Sequence, residues 1–276
     1  MPIRPRPQVA LGASILTPEN GLAEGGHLVF ELIEEQGPIV QGRKVLIDVG
    51  PAPGAVGLVT ASVLIESRRG ERVLRVFSPH FPQVSLIDNE GVSSLPVVEL
   101  HQVTDGTNVV VLTRNFVVES TEAGEAVARS VIERIGLHEI DMLIVITSGR
   151  FSGTGDVYAA SNDHQLLRKA VDSGAKVLSS VENLPVDRLT SSLMRKAMTS
   201  GVKTLLVLAD TEGLLPDFRS AKKVTLFLSA LLQIEIDTKK LDEEIARQQA
   251  FLKQMEEAFS ELGEEERREG RPTYIG

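Results

Sequence analysis

No cysteine and no tryptophan occur in these 276 residues, and aromatic side chains make up only 4%. Without cysteine there is no disulfide, thiolate zinc site, iron–sulfur cluster or thiol nucleophile. With so few aromatics there is little on which nucleic-acid bases could stack. Positive charge is also short: 29 Lys and Arg stand against 38 Asp and Glu, a net charge of −9. That is the opposite of the electrostatic footprint of a nucleic-acid binder. No apolar run reaches the length of a membrane span. The opening Met1-Pro2-Ile3-Arg4-Pro5-Arg6-Pro7 leads into no apolar stretch of the signal-peptide kind. The expectation is a soluble, cytoplasmic protein with neither nucleic acid nor membrane as a partner.

Catalytic signatures are missing as well. There is no nucleophile elbow G-x-S-x-G, no phosphate-binding G-x-x-x-x-G-K-[ST] and no dinucleotide fingerprint. The histidines are His27, His80, His101, His138 and His164, and no two share the i, i+4 spacing of a helical metal pair. No metal, cofactor or catalytic residue is implied, and His80 and His101 read as polar surface residues.

What is present is a rhythm of short runs, 42% of the chain being hydrophobic. Val45 to Val49, Val109 to Leu112, Met142 to Ile146, Val177-Leu178 and Leu205 to Ala209 are apolar at nearly every position. Short β-branched runs of this kind suit strands covered on both faces, as in a parallel sheet. Leu28 to Glu34 reads as a further short strand. Between the runs lie helical patterns: Ala55 to Glu66, Thr121 to Ile135, a helix opened by Asn162 with Gln165 as a capping box and stopped by Gly174, Asp187 to Ser200 before Gly201, and Ser220 to Leu232. Alternating strand and helix predict a three-layer α/β/α sandwich with a mixed, mostly parallel sheet. Arg72 to Phe77, Val84 to Ile87 and Val97 to His101 interrupt that rhythm, and Pro79, Pro82 and Pro96 place them at edges or turns. They read as a β-excursion attached to the main sheet.

The expected organisation is an extension over 1–27, an α/β core over 28–237, a helix over 238–269 and a mobile tail over 270–276. In that helix Leu241, Ile245, Gln248, Leu252, Met255, Phe259 and Leu262 follow at spacings of 4, 3, 4, 3, 4 and 3, a heptad seam. The seam suits packing on its own domain or pairing with another subunit. The tail Thr273-Tyr274-Ile275-Gly276 offers a ring and an aliphatic group side by side, a compact docking element.

Two loops at strand ends are candidates for a ligand site, since ligands of α/β sheets bind outside the carboxyl ends of the strands. Ser148 to Asp156 brings Gly149, Arg150, Gly153 and Gly155, whose backbone amides and guanidinium could hold an anion. Asp210-Thr211-Glu212-Gly213 offers Asp210 and Glu212 as an acid/base pair. The competing reading of both is a plain polar connection, as is that of Asp48-Val49-Gly50-Pro51-Ala52-Pro53-Gly54.

Four segments together resemble the proteasome assembly chaperone family, of the type of the second eukaryotic chaperone and its archaeal relatives. They are Lys44 to Glu66, Asp88 to Leu100, Asp156 to Asp163, and Leu206 to Ala221 followed by Leu232 to Asp237 and an acidic helix. The resemblance implies a three-layer fold of the phosphorylase/hydrolase-like class, homo-oligomers and no established catalytic residues. Its implied partners are proteasome α subunits, which some archaeal relatives meet through a carboxyl tail ending hydrophobic–Tyr–any. Here the sequence reads Tyr274-Ile275-Gly276, with the tyrosine one position further in. Where the family often has a glycine-rich turn, this chain has Glu182 to Asp187. The alternative is an enzyme or sensor that binds a nucleoside or phosphate at the two loops.

Overall fold

The apolar runs pair into one sheet because every strand that is covered on both faces must bury its backbone polar groups in a ladder. The computed structural model describes residues 32 to 269 except 36, 88–89, 105–107, 180–183, 185 and 214. For 32–35 and 256–269 it describes the backbone alone. Residues 28–31 of the first expected strand and the expected tail lie outside the described residues.

The strands are β1 (Leu32–Glu35), β2 (Lys44–Val49), β3 (Glu71–Phe77), β4 (Leu86–Ile87), β5 (Ser93–Ser94), β6 (Val98–Val103), β7 (Val109–Arg114), β8 (Ile140–Gly149), β9 (Val157–Ser161), β10 (Lys176–Val177) and β11 (Lys203–Asp210). The helices are α1 (Val56–Ser67), α2 (Thr121–Ile135), α3 (His164–Asp172), α4 (Arg188–Thr199), α5 (Phe218–Leu232) and α6 (Lys239–Glu269). The nine-stranded sheet runs β1-β3-β6-β7-β2-β8-β11-β9-β10, and β4 pairs with β5 apart from it. At its centre β7, β2, β8 and β11 are mutually parallel. Antiparallel pairs flank them, β6 on one side and β9 on the other.

Period-two alternation divides the core between the two faces. Along β2, Leu46 enters one core while Ile47 and Val49 enter the other; along β8, Leu143 and Val145 part from Ile144 and Ile146 in the same way. One face is covered by α1, α3 and α5 with Leu241 of α6, the other by α2 and α4. The expected sandwich is therefore present, with a mixed sheet. Each fully buried aliphatic side chain contributes about 1.5–3 kcal/mol.

Four expectations need correction. The β-excursion is attached to the main sheet as expected, but not at its edge: β3 and β6 are interior strands, and β4 and β5 leave the sheet. Val177 belongs to a two-residue edge strand and is 51% exposed, not covered on both faces. The helix expected to open at Asn162 opens at Asp163, whose side chain accepts from the Leu166 amide at 2.7 Å. Asn162 instead accepts from the Thr204 amide and donates to the Val202 carbonyl, fastening β9 to β11. His101 is a sheet residue with a side chain only 16% exposed; burial lowers its pKa and its Nδ1 has no hydrogen bond.

Helices α2 and α4 approach so closely that a Cβ at Gly124 would lie 2.7 Å from the Arg188 carbonyl. Gly149, by contrast, faces open space. Gly124→Val is expected to destabilise the protein by about 1–3 kcal/mol through overpacking, and Gly149→Ala to stay within about 0.5 kcal/mol of the parent. Urea denaturation of both variants measures the difference.

Candidate functional site

The carboxyl ends of the four central strands carry two polar networks, and each is closed on itself. In the first, Arg114 at the end of β7 lies between Asp48 of β2 and Asp187, the N-cap of α4. Its Nη1 donates to Asp48 Oδ1 at 2.6 Å, while Nε and Nη2 grip the two Asp187 oxygens at 2.6 and 2.9 Å. Nη2 also donates to Thr190 Oγ1 at 2.6 Å, and that hydroxyl donates to Asp48 Oδ2 at 2.5 Å. The arginine and aspartate side chains are 2%, 0% and 7% exposed. Burial by itself would lower the pKa of Arg114, but the two carboxylates outweigh it and keep the guanidinium charged. Asp187 uses the same oxygens to accept from the amides of Thr190 and Val118. A Cβ at Gly50 would lie 2.5 Å from the guanidinium, so the turn after β2 needs glycine to let the arginine pass.

The second network surrounds Asp210, the last residue of β11. Its carboxylate accepts from the amides of Phe151, Ser152, Thr154 and Gly155 and from the Ser152 hydroxyl, at 2.7–3.1 Å. Burial alone would raise the pKa of Asp210; the hydrogen bonds outweigh it and hold the carboxyl well below the usual carboxylate range. The glycine loop thus does cradle an anion with its backbone amides, but the anion belongs to the chain. Five donors meet a group that offers about four lone-pair directions. Asp210 is therefore an anchor for the loop, with no capacity left for acid/base exchange.

A cavity of about 280 Å³ lies beside this loop. Of the residues singled out in the sequence, Gly153, Gly155, Asp210 and Glu212 line it, together with Arg219 and Lys223. Gly149 and Arg150 do not: Gly149 closes β8 and accepts from the Thr211 amide, and Arg150 is exposed. The other candidate residues belong to α6. Leu241 is buried and Gln248 donates to the Pro216 carbonyl at 3.1 Å, so the first turns pack on the core beside α5. Beyond them Phe251, Leu252 and Met255 are 56%, 45% and 39% exposed. Phe259 and Leu262 continue the helix, and nothing is described of their side chains; Tyr274 and Ile275 lie outside the described residues. Among the described residues no group of three or more histidine or acidic side chains is placed to hold a metal, and no helix is long and apolar enough to cross a membrane.

The Arg114 network escaped the sequence reading because its members are 66 and 73 residues apart. The only local signals were Asp48 next to the end of β2 and Arg114 at the end of β7, each following an apolar run. Two outcomes are expected. Arg114→Leu leaves Asp48 and Asp187 buried without a counter-charge and should cost about 3–5 kcal/mol, read as a lower denaturation midpoint. Asp210 has a folded pKa below the unfolded value of about 3.9, so its contribution is complete above that value and lost as pH falls through the lower range. Asp210→Asn should be less stable than the parent at neutral pH, and thermal melts should show the gap narrowing below about pH 4.

Comparison with known proteins agrees with this architecture. MJ1210, an uncharacterized protein of Methanocaldococcus jannaschii, is 23% identical over 223 residues, 79% of this chain and 84% of its own. PbaB of Pyrococcus furiosus, described as an archaeal proteasome activator, superposes with a TM-score of 0.69 at 20% identity, over 83% of this chain and 98% of that one. PbaA of the same organism, described as an archaeal homolog of proteasome-assembly chaperone, gives 0.66 at 19% identity, over 87% and 99%. At these identities the structural likeness establishes a shared fold. The sequence profile of the PAC2 family matches residues 47–256, a range that takes in both polar networks. The chain belongs to the PAC2 family.

Proposed function

We propose that this protein is a non-catalytic, proteasome-binding factor of the assembly-chaperone kind, which contacts α subunits and works as a homo-oligomer. The observation that carries the reading is family membership joined to α6, a helix whose first turns pack on the core and whose Phe251, Leu252 and Met255 beyond them are exposed. Phe251, Leu252 and Met255 are the size and chemistry of side chains that fill a partner's pockets. In the sequence Phe259, Leu262, Tyr274 and Ile275 continue that apolar character towards the carboxyl end. The descriptions of PbaA and PbaB as proteasome-related proteins support the choice of partner. The two polar networks support a binding role over chemistry, since Arg114 and Asp210 spend their hydrogen-bonding capacity inside the fold.

The expected outcome is that the chain retains proteasome α subunits in a pull-down. Phe251→Ser/Leu252→Ser/Met255→Ser and a deletion of 273–276 should each weaken that capture about tenfold or more, with the melting temperature unchanged. Full capture by both variants would remove α6 and the tail from the contact.

A further inference from the structure

The amides of the glycine loop are spent on Asp210, but the cavity of about 280 Å³ between that loop and the first turns of α5 has charged groups of its own. Arg219 and Lys223 both line it. They stand four residues apart on α5, so their side chains rise from one face of the helix on successive turns. Nearby lysines are neutralised: Lys222 pairs with Asp242, and Lys176 with Asp156. Among the described residues, Arg219 and Lys223 take part in no ion pair. The Lys223 ammonium donates instead to an uncharged group, the Gly155 carbonyl, at 2.5 Å. Gly155 has a φ of 64°, in the left-handed region that favours glycine, so the loop reaches the lysine through a position suited to that residue.

The buried acids of the wall are already engaged. Asp210 is saturated by five donors. Asp217 caps α5: its Oδ1 accepts from the Ser220 amide at 2.9 Å, and its Oδ2 accepts from the hydroxyls of Thr211 and Ser220 at 2.7 and 2.8 Å. That cap closes the amino end of the helix, which leaves side chains, and not the helix terminus, to meet a ligand. Glu212 is exposed and, among the described residues, has no hydrogen bond or ion pair. The uncommitted charge in the cavity is thus two positive groups against one negative.

The rest of the wall is Gly153, Thr154, Gly155, Thr211 and Ser220, without an aromatic ring or a large aliphatic side chain. A nucleobase would find nothing to stack on, and an apolar ligand no apolar lining. A hydrophilic anion fits. A phosphate monoester carries roughly −1.5 to −2 charges at neutral pH, which two cations match, and the arginine fork suits phosphate oxygens. We infer that this cavity binds a small phosphate monoester with a hydroxylated body, of the sugar-phosphate kind: Arg219 and Lys223 hold the phosphate, and Glu212 accepts from a hydroxyl of the body. The inference goes beyond the proteasome reading and does not depend on it.

Calorimetry on the full chain tests this with ribose 5-phosphate, ribose and inorganic phosphate as probes. Ribose 5-phosphate is expected to bind and to raise the melting temperature, and ribose to show no binding. Arg219→Gln and Lys223→Gln should each weaken binding about tenfold, as for the loss of one charged hydrogen bond, and the affinity should fall as salt rises. Both residues are exposed, so the melting temperature without ligand should match the parent's. Lys222→Gln, next to Lys223 but outside the cavity lining, should bind as the parent does. Glu212→Gln should weaken ribose 5-phosphate and not inorganic phosphate, which separates a shaped site from a patch of positive charge. Failure of ribose 5-phosphate to bind at millimolar concentration, or parent-like affinity in Arg219→Gln/Lys223→Gln, overturns the inference. So does equal affinity for ribose and its phosphate, or for inorganic phosphate and the ester, the latter marking attraction for any anion. None of these outcomes touches the proteasome reading, which the pull-down decides.

Discussion

Arg114 holds the carboxyl edge of this sheet together. One guanidinium at the end of β7 fixes the end of β2 through Asp48 and the start of α4 through Asp187 and Thr190. A lysine could not do this, because only the planar fork reaches two carboxylates and a hydroxyl at once. Three groups so far from water tolerate burial only because every charge has a partner and the remaining lone pairs are engaged. The same constraint extends outwards. Gly50 must lack a side chain to let the guanidinium pass, and Asp187 must cap α4 while binding the arginine.

Asp210 applies the same logic to the neighbouring strand. Its carboxylate gathers four backbone amides of the loop after β8, so a segment that would otherwise be free to move is wrapped on the end of β11. Nearby, the Ser148 hydroxyl donates to the Pro53 carbonyl and the Asp217 amide to the Gly54 carbonyl, fastening the turn before α1 to the same edge. The place where α/β sheets usually receive ligands is here spent on internal contacts. Among the described residues, exposed apolar side chains lie further out, on α6 at Phe251, Leu252 and Met255 and in the segment between β3 and β6.

Four of the five apolar runs, the three-layer class and the helix over Thr121–Ile135 were legible because periodicity and burial are local properties of a strand or helix. So was the family, since its motifs recur in order along the chain. Strand β9 was not: Val157-Tyr-Ala-Ala-Ser161 is short and rich in alanine, and only its ladders with β11 and β10 make it a strand. The interior position of β3 and β6 in the main sheet was hidden for the same reason, because pairing partners are chosen by tertiary fit.

For the site, the sequence supplied the glycine loop and Asp210 as separate candidates, one to bind an anion and one to exchange protons. The fold joined them, and each became the other's partner. By itself the sequence determined which segments must be buried, which chemistries have no residues to carry them out, and where apolar groups occur in excess. The tertiary structure alone decided which charges meet and which apolar groups stay uncovered. Hydrogen bonds and ion pairs act over a few ångströms, and residues such as Asp48, Arg114 and Asp187 come within that range only once the sheet and α4 have assembled.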